Sequence, residues 1–226
     1  MSDNFTEPLD DFMASKWVFV TGTGTDVGKT YCAAKMAEIY RQEGRRVGVY
    51  KPVASGCVRD QSNELVAEDA SSLWQAAGQP LTLRSVCPQR FEAPLAPPEA
   101  AEAMGQRVDE RVLIEGMAVW NDDRFDVVLI EGAGGLFSPI SENMLNIDFG
   151  LKLQTRRDLD VVLIAANRLG VQHDVIAAVR AAVASGFTID RVILNTIAED
   201  ASSSTNAENL RRWIEIPVHE DCHSVW

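Results

Sequence analysis

The sequence predicts an α/β fold, a mostly parallel β-sheet flanked by helices in a single domain, and three observations carry that reading. Short apolar runs alternate with segments of helical period along most of the chain. Several of those runs are nearly continuous in Val, Ile and Leu, the pattern of strands covered on both faces. A glycine-rich turn joins the first run directly to the first helical segment. With 226 residues, 46% hydrophobic and 24% charged, the chain has apolar material for one sizeable core.

Taken in order, Met1 to Ser15 holds four acidic side chains, a proline and no sustained period, so it is expected to be a disordered acidic leader outside the domain that occupies residues 16–226. Trp17 to Thr21 reads as the first strand. Tyr31 to Glu43 places Ala33, Met36, Ala37 and Tyr40 on one helical face, and Gly44 is the expected stop. Arg46–Lys51, Phe125–Ile130, Asp160–Ala165 and Arg191–Leu194 read as further strands. Val175, Val179, Ala182 and Val183 repeat at helix spacing before Gly186. Four prolines between Ser85 and Pro98 forbid a long helix or a central strand there, so a surface loop over the site is expected. The tryptophans at 17, 74, 120 and 213 read as core or surface anchors, Ala201–Thr205 as a polar loop, and His173 as a structural histidine.

A formal charge of −12 argues against non-specific attraction to nucleic acid or to an anionic membrane face. No apolar run approaches the ~20 residues that span a bilayer, and no basic segment followed by an apolar one opens the chain. A cytoplasmic protein acting on small molecules, with neither nucleic acid nor membrane as partner, is expected. The four scattered cysteines lack the close pairing of metal or disulfide frameworks and read as free thiols.

The chemistry concentrates after the first strand. Gly22-Thr23-Gly24-Thr25-Asp26-Val27-Gly28-Lys29-Thr30 sets three glycines ahead of Lys-Thr at a helix start, so successive backbone N–H groups can converge on phosphate oxygens. Lys29 supplies a point charge, and the Thr30 hydroxyl is placed to meet a magnesium ion. The expected fold is therefore P-loop NTPase-like and the expected nucleotide ATP. Thr23 stands where the usual spacing has its first glycine, so the loop is one residue longer than standard. Lys51 ends the second predicted strand and Glu131 follows the strand ending at Ile130. In a parallel sheet both would face the same crevice.

That longer loop resembles the phosphate loop of dethiobiotin synthetases, Gly-Thr-x-Thr-[Asp/Glu]-Val-Gly-Lys-Thr. Three more segments resemble the family in the right order: Tyr50 to Gly56, Glu131-Gly132-Ala133-Gly134-Gly135, and Asn167 to His173. The resemblance implies ring closure of 7,8-diaminononanoate with CO2 to dethiobiotin, driven by ATP and Mg2+ in a homodimer. It assigns catalytic roles to Lys51, Lys29 and Thr25, and nucleotide contacts to Gly24, Asp26, Val27, Gly28, Thr30, Tyr31, Gly132, Ala133, Gly134 and Asn195. Thr30, Asp69 and Glu131 would hold the metal. Ser55 would bind substrate, together with Gly170, Val171 and Gln172, the last three from the partner subunit and with Gln172 standing where the family more often has Asn. Two alternatives stay open: a related P-loop ligase with another substrate, and a ParA- or MinD-like ATPase switch. The switch proteins carry an early second lysine in the loop, whereas Gly22, Thr23, Gly24 and Thr25 fill that stretch here.

Overall fold

The computed structural model describes residues 17–121, 123–156, 158–198 and 200–221. The expected leader, Met1 to Ser15, and Cys222 lie outside the described residues. The first half of the chain holds β1 (Trp17–Gly22), α1 (Lys29–Gln42), β2 (Val47–Tyr50), β3 (Val53–Ala54), β4 (Val58–Arg59), β5 (Leu65–Val66), α2 (Glu68–Ala76), α3 (Leu83–Val86), β6 (Gln89–Arg90), α4 (Pro97–Ala103) and α5 (Glu110–Glu115). A 3-10 turn, Gly116–Trp120, leads on to β7 (Val127–Glu131), α6 (Asn146–Gln154), β8 (Leu159–Ala166), α7 (Val171–Ala184), β9 (Arg191–Asn195), α8 (Asn206–Leu210) and β10 (Val218–His219).

Six strands form one sheet in the order β10-β9-β8-β1-β7-β2, with every neighbouring pair parallel. The α/β class read from the sequence is therefore the observed one. The Val, Ile and Leu runs are buried on both faces, as the wholly buried pattern of β1, β2 and β7 shows. Trp17 and Trp120 are core residues, Trp120 tilting against Phe125 at 5.2 Å between ring centroids, whereas Trp213 is largely exposed.

From β1 the chain passes to the sheet edge at β2, returns to β7 beside β1, and then crosses to β8 on the other flank. Parallel strands that diverge in this way leave a crevice at their carboxyl ends, which is where ligands collect in such sheets. The register brings the relevant ends level: Val20 lies opposite Glu131, and Tyr50 opposite Ile130.

Local chemistry accounts for the element boundaries. α1 starts two residues before the predicted period because Gly28, at φ 87° and ψ 28°, turns the chain straight into it. It stops in a Schellman arrangement, with left-handed Gly44 donating to Arg41 and Arg45 donating to Tyr40. The stretch Ser85–Pro98 is more ordered than expected, holding the end of α3 and β6, which pairs parallel with β3. Pro97 and Pro98 do not break a helix there; they open α4, at positions whose N–H groups would be unsatisfied anyway. On α7, Val175, Val179 and Ala182 are buried as predicted, but Val183 is exposed, one step off the packed face.

Candidate functional site

The phosphate-loop segment lies between β1 and α1. No side chain caps the N-terminus of α1, so its first amides stay available, and an uncapped helix start is an anion site by virtue of its free N–H groups and dipole. Gly22 cannot be replaced without disturbance: a Cβ there would lie 2.8 Å from the Val27 side chain and 3.1 Å from that of Lys29. Lys29 folds back along the loop, its Nζ donating to the Gly24 carbonyl at 2.8 Å. Burial holds the Lys29 ammonium below the usual lysine range; the Glu131 charge opposes this and the Lys51 charge reinforces it.

Lys51 follows β2 and is 3% exposed. Its Nζ lies 2.6 Å from Glu131 Oε1 and 3.0 Å from Asp69 Oδ2. The Thr30 hydroxyl donates to the same Glu131 Oε1 at 2.8 Å. Burial alone would depress the Lys51 ammonium, but the two carboxylates and the hydrogen bonds to them outweigh it, so Lys51 sits above the ordinary lysine range and stays charged. Burial would likewise raise the Asp69 carboxyl; the charge and hydrogen bond of Lys51 prevail and hold it below its usual value. Residues from α1, the end of β2, the first turn of α2 and the end of β7 thus share one polar cluster.

This cluster lines a cleft of about 730 Å3. Of the predicted residues, Thr25, Asp26, Gly28, Lys29, Thr30, Lys51, Ser55, Asp69, Glu131, Ala133 and Gly134 line it. The run Pro94-Leu95-Ala96-Pro97 lines the cleft too, as expected of the proline-rich segment, and forms an apolar wall with Val53 and Ala54, whereas the sequence reading did not single out Val53, Ala54, Ser138 or Pro139. The proline density of 88–98 was the available signal for that wall; nothing local marks Ser138.

The remaining predicted residues lie behind the cleft or away from it. Gly24 offers its carbonyl to Lys29, Val27 is packed into the core, and Tyr31 is about half exposed on α1. Gly132 backs onto Asn146, where a Cβ would come within 2.7 Å of the amide oxygen. Asn195 is 5% exposed and its Nδ2 donates to the Val27 carbonyl at 3.1 Å, so one of its amide hydrogens braces the phosphate loop. Gly170 is the left-handed N-cap of α7, Val171 is buried, and the Gln172 amide contacts Asn206 at 3.5 Å. These three sit at the carboxyl edge of the same sheet, outside the cleft lining. His173, read as a structural histidine, is exposed in the first turn of α7.

One polar atom in the cluster lacks a partner. Glu131 Oε2 is buried and has no hydrogen bond among the described residues, while its sister oxygen takes bonds from both Lys51 and Thr30. A buried carboxylate oxygen is costly to leave unmet. Two carboxylates and a threonine hydroxyl form an all-oxygen donor set of the kind a small hard cation takes when phosphates and water complete its shell, so these residues fit magnesium.

Comparison with known proteins gives concordant matches. A family model described as an AAA domain matches residues 16–219. A Rhodopirellula baltica protein named ATP-dependent dethiobiotin synthetase BioD is 52% identical over 213 residues, covering 91% of this chain and 83% of that one. Proteins of the same name from Phenylobacterium zucineum and Caulobacter vibrioides are 36% and 35% identical, each over 80% of this chain and over 76% and 80% of their own lengths.

Proposed function

The chain belongs to the dethiobiotin synthetase family, and from that membership we propose that it condenses 7,8-diaminononanoate with carbon dioxide at the expense of ATP, giving dethiobiotin, ADP and phosphate as a ligase of biotin synthesis. The observation that supports this most directly is the buried Lys51 ammonium, 2.6 Å from Glu131 and 3.0 Å from Asp69, in the cleft that the phosphate loop also lines.

In the proposed sequence one substrate amine adds to carbon dioxide, forming a C–N bond and releasing a proton to solvent, and becomes a carbamate. A carbamate oxygen takes the terminal phosphoryl group as the bond to ADP breaks. The second amine then attacks the carbonyl carbon of the mixed anhydride, phosphate leaves, and the amine proton is lost to solvent. Bringing a carbamate against a polyphosphate gathers negative charge, so catalysis consists of positioning and neutralisation. Lys29 and Lys51 supply fixed cations, and the amides of Gly24 to Thr30 supply N–H groups aimed at phosphate oxygens. Thr25 and Ser55 offer hydroxyls to the reacting groups. Thr30, Asp69 and Glu131 would hold magnesium, which would supply positive charge to offset that of the phosphates. No nucleophilic side chain is required.

The apolar wall from Val53 to Pro97 suits the methylene chain of the diamine. Its carboxylate suits the free amides at the start of α7 supplied by a second subunit; Gly170, Val171 and Gln172 lie outside this chain's own cleft. We assign the protein to the cytoplasm as a homodimer on the same reasoning, and no described helix is long and apolar enough to cross a membrane.

Incubation with MgATP, labelled bicarbonate and the diamine is expected to place label in an acid-stable cyclic urea, with phosphate released only when the diamine is present. Phosphate release indifferent to the diamine would point instead to the ATPase-switch alternative. An amine must be neutral to attack, so the rate is expected to fall as pH is lowered and the diamine protonates. A rate that stays flat through that range would exclude amine attack as the slow step.

A further inference from the structure

We propose that Asn146, which is not itself among the residues lining the cleft, is a positioning residue that sets ATP affinity by fixing the turn after β7 against the entry to the phosphate loop. The proposal rests on the assignment of the cleft as the ATP site.

Asn146 is the first residue of α6, a position that polar residues usually expose, yet it is fully buried. Its Nδ2 donates to the carbonyls of Ala133 at 2.6 Å, Ser138 at 3.0 Å and Gly135 at 3.1 Å, and its Oδ1 accepts from the Ala133 N–H at 3.0 Å. The backbone N–H of Asn146 donates to Ser138 as well. Carbonyls only accept and a backbone N–H only donates, so the amide can face this turn one way round, with its two Nδ2 hydrogens shared among three carbonyls.

The turn so held is the one the phosphate loop leans on. Leu136 N–H donates to the Gly22 carbonyl at 2.7 Å, and Gly132 N–H donates to Val20 at 3.0 Å. Gly135 lies so close to the loop that a Cβ on it would be 3.1 Å from Gly24 Cα. The Gly24 carbonyl is in turn the one that receives Lys29 Nζ. A continuous path of hydrogen bonds and backbone contact therefore runs from Asn146 through Ala133–Leu136 to Gly22–Gly24 and Lys29. The same turn carries Glu131 at its start and Ala133, Gly134 and Ser138 in the cleft wall.

Neither leucine nor aspartate can substitute. Leucine would leave the Ala133 carbonyl and N–H without these partners, with the Gly135 carbonyl keeping only the Ser138 N–H and the Ser138 carbonyl only the backbone N–H of residue 146. Aspartate keeps the shape and accepts from Ala133, but as a carboxylate it sets negative oxygen against three carbonyls. Once protonated, its hydroxyl can donate to one of them.

The test measures equilibrium binding of MgATP to the full chain, with KM for ATP and kcat alongside, well below each variant's melting midpoint. Asn146→Ala is expected to weaken MgATP binding about 10- to 100-fold, the loss typical of removing a group that orients a binding residue, and to raise KM for ATP in step. Asn146→Asp is expected to bind as weakly at neutral pH and to recover affinity as pH falls, while Asn146→Ala shows no such recovery relative to wild type. A lowered melting midpoint with unchanged affinity in the folded variants would reduce Asn146 to a stability role and overturn the proposal. Should both variants fail to fold, Gly135→Ala pushes the same turn against Gly24 without altering Asn146; the same affinity loss is expected, and unchanged affinity overturns the proposal. Wild-type protein that binds MgATP but makes no cyclic urea would refute the proposed reaction alone. Wild-type protein that fails to bind MgATP would refute the site assignment and Asn146's role together.

Discussion

Lys51→Met is expected to lower cyclic-urea formation by about 100- to 1,000-fold, the range found when one preorganised charge-stabilising group is removed from a reacting centre. Methionine matches the length of the lysine stem and can fill its buried position, so the variant removes charge with little loss of volume. It has a second consequence. Glu131 Oε1 would keep only the Thr30 hydroxyl, and breaking one side of a buried ion pair destabilises by about 3–5 kcal/mol. Loss of activity and loss of fold are therefore entangled in the single variant. Lys51→Met with Glu131→Gln separates them: the second change removes the carboxylate that Lys51→Met leaves unpaired, so the melting midpoint is expected to recover part of the way to wild type while product formation stays low. Lys51→Arg should restore only part of the rate, because a planar fork cannot place one compact ammonium between two carboxylates. Product formed by Lys51→Met at close to the wild-type rate would remove Lys51 from the mechanism.

How much of this cluster could be read in advance depends on how each part is encoded. Lys51 and Glu131 are 80 residues apart, but each follows an apolar run of strand type, and parallel strands deliver their carboxyl ends to one edge. That rule places both at one crevice, and likeness to the family run Tyr50–Gly56 singles out Lys51 as functional. Asp69 was harder: a first-turn acid on a helix is ordinary, and only its likeness to a family position singled it out. Strands of two residues, such as β3 and β6, carry no period at all, and their pairing is fixed by what surrounds them. The apolar wall at Pro94–Pro97 follows from that pairing, so the prolines signalled an irregular segment without saying which side of it would face the cleft. Asn146 had no local signal. Its importance lies in four contacts with a turn eight to thirteen residues earlier, and a lone asparagine in Leu-Asn-Ile-Asp looks like any polar helix start. Asn195 illustrates the converse, since a residue marked for nucleotide contact by likeness alone is seen to brace the loop backbone.

That bracing sets up the second large effect, at Gly28. The residue sits at φ 87°, in the left-handed region, where an L side chain costs about 1–2 kcal/mol. The space is also taken: a Cβ at Gly28 would come within 1.9 Å of Asn195 Nδ2 and 3.0 Å of its Cγ. Asn195 is buried, and moving it aside breaks its bond to the Val27 carbonyl within the phosphate loop itself. Gly28→Ala therefore strains the turn that aims the α1 amides and removes the brace behind it. About 2.7 kcal/mol from the backbone strain and the collision with Asn195 together corresponds to a fall of about 100-fold in MgATP affinity, measurable by equilibrium binding. Gly28→Ala with Asn195→Gly relieves the collision and leaves the backbone strain. Affinity is expected to recover about tenfold and no further, because the left-handed cost and the missing brace remain. Full recovery in the double variant would assign the whole effect to the Asn195 collision, and wild-type affinity in Gly28→Ala would show that the conformation at residue 28 does not govern phosphate binding.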